Sequence, residues 1–122
     1  MNDKHDRSAV VKCCPPPVPI DESRDPDEEI AELAKALGHP MRVRILRILL
    51  EQEECMCGQI CEQLPIAQST VSQHLKVLRE AGLIHGETDG PRTCYCADPI
   101  RIERLRVLLD RMAAALTAST PR

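Results

Sequence analysis

The stretch that decides the fold is residues 55–83, CMCGQICEQLPIAQSTVSQHLKVLREAGL. Ile60 and Leu64 stand one helical turn apart, and Pro65 ends the segment that carries them, because proline lacks the N–H that a continuing helix needs. Val71, Leu75 and Leu78 then recur at helical spacing and line one face of a second helix, which Gly82 closes. Two short helices around a tight turn predict a helix-turn-helix. The other side of the second helix gathers Gln68, Ser69, Thr70, Ser72, Gln73, His74 and Lys76. These are hydrogen-bonding groups of the kind that read base edges in a major groove.

Working outward toward the N-terminus, Pro40 opens a helix from Met41 to about Gln52 in which Val43, Ile45, Leu46, Leu49 and Leu50 cover much of the circumference. Before it, Asp25-Pro26 places a capping residue ahead of a proline suited to a first helical turn. Ile30, Leu33, Ala34 and Leu37 then form a stripe ending at Gly38. Residues 1–25 are polar and broken by Pro15, Pro16, Pro17 and Pro19, which predicts an arm without regular structure that carries the pair Cys13-Cys14.

Toward the C-terminus, residues 83–88 and 92–96 flank Asp89-Gly90-Pro91, a turn between two strands. A hairpin directly after a helix-turn-helix is a wing. Asp98-Pro99 starts a last helix whose Ile102, Leu105, Leu108, Leu109, Met112 and Leu116 make a long apolar stripe. An edge stripe is most readily buried against its own copy, and a two-fold dimer would set two recognition helices about 34 Å apart, one turn of DNA. The expected fold is mainly α: a winged helix-turn-helix of five helices and a β-hairpin wing over residues 26–118, assembled as a homodimer.

Composition bounds this reading. The 122 residues suit one domain, and with no Trp, no Phe and only Tyr95 as an aromatic ring the core must be aliphatic. No apolar run is long enough to span a bilayer and no signal-peptide pattern opens the chain, so a cytoplasmic protein without a membrane partner is expected. The net charge of −3 is unevenly spread: residues 1–29 hold four bases and eight acids, net −4, and the remainder twelve bases and eleven acids, net +1. The folded part can therefore meet phosphates through Lys76, Arg79 and Arg92, with strong salt dependence.

Seven cysteines in such a chain point to metal ligation or redox chemistry, because a reducing compartment opposes stable disulfides and an odd number cannot all pair. The four histidines, His5, His39, His74 and His85, make no short pair of the zinc-site kind. No nucleophile and base arrangement, no phosphate loop and no carboxylate pair beyond surface charge is found, so an enzyme is not expected.

The run Ala36-Leu-Gly-His-Pro-Met-Arg-Val-Arg-Ile-Leu46 and the run Gln68-Ser-Thr-Val-Ser-Gln-His-Leu-Lys76, in this order of elements, resemble the ArsR/SmtB family of winged-helix repressors, over roughly Glu28 to Met112. The resemblance implies a homodimer on double-stranded operator DNA that leaves when a metal or metalloid binds. Cys55-Met-Cys57 after Glu54 is similar to the Cys-x-Cys of arsenic- and cadmium-sensing members at the start of their third helix. Cys61 would match the third cysteine of the arsenic type, although Gly58 acts as an insertion that lengthens the spacing by one residue. Cys13-Cys14 is similar to the arm pair with which some arsenic repressors complete a three-sulfur site, here with Cys55. Cadmium and lead sensors would use both arm cysteines with Cys55 and Cys57. The zinc site of other members needs Asp and His on the last helix, and this chain has Asp110 there without the histidine.

The expected inducer-binding residues are thus Cys13, Cys14, Cys55 and Cys57, for arsenite or antimonite, with cadmium or lead as variants, since all-sulfur ligation favours soft ions. Cys61 reads equally as a small buried hydrophobe beside Leu64. Cys94 and Cys96 alternate onto one strand face and either form a second site or face the core. For DNA, Gln73 and His74 are the expected base readers, with Ser69, Thr70, Ser72, Lys76 and Arg92 on phosphates or in the minor groove. Two other readings fit parts of the pattern: a thiol redox switch, and a soft-metal buffer without a DNA role.

Overall fold

The computed structural model describes residues 18–51, 56–57, 60–89 and 92–119. Helix α1, Pro26–Ala36, begins as the sequence dictates: Asp25 caps it by accepting from the Asp27 amide at 3.0 Å, and Asp27, Glu28 and Glu29 put negative charge at its positive end. Helix α2, Pro40–Glu51, buries Ile45, Leu46 and Leu49, while Val43 and Leu50 face outward.

Helix α3, Gln68–Glu80, buries Val71, His74, Leu75 and Leu78. It ends in a Schellman closure. The Leu83 amide donates to the Leu78 carbonyl and the Gly82 amide to that of Arg79, both at 3.0 Å, with Gly82 at φ +81, a conformation that costs glycine little. Leu83 is fully buried and anchors the turn.

Strands β2, Ile84–Asp89, and β3, Arg92–Ala97, form the wing in antiparallel register from Ile84 opposite Ala97 to Asp89 opposite Arg92. Gly86 faces Tyr95 across the ladder, where an added Cβ would lie 2.9 Å from the ring, so the aromatic side chain occupies the space that glycine leaves. A further strand, β1, Met56–Cys57, pairs with the other edge of β3 and makes a sheet of order β1-β3-β2.

Helix α4, Pro99–Ser119, starts on the buried carboxylate of Asp98, which accepts from the Ile100 and Arg101 amides at 3.0 and 3.2 Å. Its first half packs on α1, where Arg104 donates to Glu29 at 3.1–3.3 Å, and it buries Leu108. The core is the aliphatic cluster of Leu33, Ala36, Ile45, Leu46, Leu49, Ile60, Leu64, Val71, Leu75, Leu78, Leu83 and Ile84, which seats α1, α2, α3 and the base of the wing together.

Two expectations are corrected. Four α-helices, not five, occur among the described residues, because the expected third helix is a 3₁₀ turn, Ile60–Gln63. The run between Gly58 and Pro65 is too short to repay helix nucleation, so a single tight turn suffices to seat Ile60 and Leu64. For the same reason Cys57 does not open a helix. It lies on a strand while Cys61 lies in the turn, so the two do not share one helix.

Candidate DNA-reading face and its cysteine-bearing neighbours

Burial of Val71, Leu75 and Leu78 turns the opposite face of α3 outward, and Gln68, Ser69, Thr70, Ser72, Gln73, Lys76 and Arg79 are all exposed. The helix is capped by Ala67, whose side chain makes no cap hydrogen bond, so its first amides remain available to an anion. Among the described residues Lys76 makes a surface pair with Glu80 at 3.3 Å, a contact worth about 0.3–0.5 kcal/mol and easily exchanged for a phosphate. Arg92 opens β3 at the tip of the wing, opposite Asp89; its side chain lies outside the described atoms.

His74 departs from expectation. It is only 8 % exposed, its ring lies 4.6 Å from that of His39, and its Nδ1 accepts from Arg42 Nη1 at 3.3 Å. Burial first, then the neighbouring His39 and Arg42, hold its pKa below the ordinary value. The ring is therefore neutral at pH 7 and turned inward, which leaves Gln73 as the outward-facing one of the two.

The inward position belongs to a hub that the sequence reading passed over. Arg42 also donates to the Ala36 carbonyl at 2.6 Å and to Lys35 at 3.4 Å, so it closes the end of α1. His39 Nδ1 accepts from the Met41 amide at 3.0 Å and caps α2. The Gly-His-Pro-Met-Arg run thus joins α1, α2 and α3 at one point; a cap histidine before Pro40 was the only signal in the sequence. A second such tie is His85, whose Nε2 donates to Asp98 at 2.8 Å and fastens the wing to the start of α4.

Among the expected sulfur ligands, Cys13, Cys14 and Cys55 lie outside the described residues. Cys57 is described by its backbone in β1, directly opposite Cys94 of β3. Cys94 is buried and Cys96 half-buried, and both are disulfide-bonded. Among the described residues no group of three His, Cys, Asp or Glu side chains stands ready to hold a metal ion. Asp110 is engaged by Arg106.

A recognition helix with an open polar face, followed at once by a wing and fixed by a buried aliphatic stripe, defines a winged helix-turn-helix DNA-binding regulator. Residues 39–85 match the bacterial regulatory protein, arsR family. An uncharacterised HTH-type transcriptional regulator of Methanocaldococcus jannaschii is 34% identical over 86 residues, 70% of this chain and 96% of that protein. The HTH-type transcriptional repressor SmtB of Mycobacterium tuberculosis is 33% identical over 92 residues, 75% of this chain and 66% of that protein. Among solved structures, M. tuberculosis Rv0081 superposes with a TM-score of 0.54 at 33% identity, over 78% of this chain and 97% of that one. The chain belongs to the ArsR/SmtB family of helix-turn-helix transcriptional regulators. No helix among the described residues is long and apolar enough to cross a membrane.

Proposed function

We propose that the protein is a homodimeric transcriptional repressor that holds double-stranded operator DNA and releases it when a soft ion, arsenite or antimonite, binds its cysteine thiolates. The observation that carries the reading is continuity. Cys57 lies on a strand paired with wing strand β3, and the same segment runs directly into the turn and the exposed polar face of α3. An ion held by Cys55 with the arm pair Cys13-Cys14, or by these with Cys57 as a fourth sulfur, would pull on the segment that leads from β1 into the recognition helix, and through β1 on the wing. Because both half-sites of a dimer must be met at once, a small displacement costs operator affinity. Three thiolates suit a trivalent metalloid; four would suit cadmium or lead, the near variant.

Dimerisation is supported by the far half of α4, where Leu109, Met112 and Leu116 are 46%, 56% and 66% exposed on one apolar stripe. The relative named a repressor, SmtB, supports repression rather than activation.

The test is a fluorescence-anisotropy titration of operator DNA at fixed salt, with and without saturating arsenite, antimonite or cadmium. The expected outcome is a fall in affinity of at least tenfold with the inducing ion, abolished by Cys55→Ser with Cys57→Ser. Unchanged affinity with every ion overturns the sensing reading. In the same assay Gln73→Ala should relax sequence preference by about 1–3 kcal/mol at one base pair, and Lys76→Ala should weaken all DNA alike. Equal losses on operator and random DNA from both would remove that division of labour.

A further inference from the structure

We propose that Cys57 and Cys94 form a reversible cross-strand disulfide, a redox site separate from the arm cysteines, which ties the entry of the helix-turn-helix to the wing. The proposal rests on the repressor reading for its output and stands on its own for its chemistry.

Three observations carry it. Cys94 and Cys96 are both disulfide-bonded. Cys57 stands directly opposite Cys94 in the antiparallel ladder. Residues so placed have Cα atoms about 4.5–5.5 Å apart, inside the range of about 4.4–6.8 Å that a disulfide spans. Cys94 and Cys96, by contrast, lie on one strand with side chains standing side by side instead of converging, so neighbours along the strand are poorer partners than residues across it.

The strand that Cys57 occupies needs such a tie. β1 is two residues long and, among the described residues, pairs with β3 alone, so few ladder hydrogen bonds hold it in register. Its neighbour in sequence is the 3₁₀ turn that seats Ile60 and Leu64 beneath α3. Opening or closing a bond between Cys57 and Cys94 therefore acts on both DNA-contacting elements at once. Cys94 faces Glu87 on the other side, so the staple also reaches the hairpin.

The chemistry balances with a two-electron oxidant of the peroxide class. One thiolate attacks a peroxide oxygen, breaking the O–O bond, and becomes a sulfenic acid as hydroxide leaves and is protonated to water. The second thiolate attacks that sulfur, forms the S–S bond and displaces the hydroxyl as a second water. Two sulfurs lose one electron each and hydrogen peroxide takes both. A dithiol reductant reverses the step through a mixed disulfide. In this scheme the reduced protein grips DNA and the bridged one releases it, the same direction as sulfur atoms drawn together by an ion.

The experiment compares full-length protein reduced with dithiothreitol and then treated with hydrogen peroxide, with no metal present. Tandem mass spectrometry of alkylated digests is expected to show Cys57 linked to Cys94 after oxidation and both alkylated after reduction. Operator affinity is expected to fall at least tenfold on oxidation and to recover with dithiothreitol, while Cys94→Ala binds like reduced protein under both conditions. The wild-type comparison needs no variant that must fold. Cys57 and Cys94 both alkylated after peroxide, or linked to other residues, overturn the site. A Cys57–Cys94 link with unchanged affinity overturns its coupling to DNA. Reduced protein that binds no operator, with the link still forming and reversing, leaves the site standing and overturns the repressor reading instead.

Discussion

The two halves of α4 share one apolar periodicity and meet different fates. From Asp98 to Leu108 the helix is tied down: Asp98 caps it and holds His85, Arg104 is buried against Glu29, and Leu108 is 1% exposed. From Leu109 onward the same stripe stands in solvent, with residues 111–116 exposed throughout. The difference lies in what each half reaches. The helix is about 31 Å long at about 1.5 Å per residue, longer than the α1 surface against which it starts. Periodicity specifies a face, and only the neighbouring elements specify how far along the helix that face is covered.

The contrast can be broken most severely in its first half. Glu29→Ala should leave the Arg104 guanidinium buried without its main partner, at a cost of about 3–5 kcal/mol. A large drop in the urea midpoint checks it, and Glu29→Ala behaving like a surface change would show that the contact Arg104 already makes with Glu22 at 3.1 Å, together with solvent, suffices for it. Leu108→Ala should cost about 2–5 kcal/mol by opening a cavity under the same segment, read by the same denaturation.

The second half should respond in the opposite way. Leu109→Glu with Met112→Glu is expected to change the stability of the single chain by no more than about 0.5 kcal/mol per site, as exposed positions do. The same pair should shift sedimentation from dimer to monomer and weaken operator binding. A monomer-sized wild-type particle would mean that this stripe serves something other than a second copy.

A weaker response belongs to the hub at the other end of α1, where Arg42 meets His74. Burial lowers the pKa of His74 in the folded chain below its ordinary value of 6.5, so the unfolded chain takes up a proton first as pH falls. Its contribution to stability is full above pH 6.5 and is lost as pH falls from there through the lowered value. Urea midpoints measured from pH 8 down to pH 5 should show that decline, and His74→Gln should flatten it.

Much of the fold was legible in the residue order. Asp25-Pro26 and Asp98-Pro99 start helices where they were expected to, Gly82 closes α3, and Val71, Leu75 and Leu78 mark its buried side. These signals are local, each acting within a turn or two of chain. The polar face of α3 was legible for the same reason, apart from His74, whose partners Arg42 and His39 come from another element. The cysteines were legible as chemistry and not as geometry. Cys-x-Cys reads the same on a helix as on a strand, and nothing near residue 57 announces that residue 94 will stand opposite it.

Residue order was enough to specify a winged helix-turn-helix with an aliphatic core and a polar recognition face, because capping, proline stops and apolar spacing are properties of neighbours in the chain. Tertiary structure alone decided that Cys57 lies on a sheet edge facing Cys94, that His74 turns inward, and that Glu29 and Arg104 share one buried contact. Each of those joins residues tens of positions apart, and such pairings are fixed only when separate elements pack against a common core.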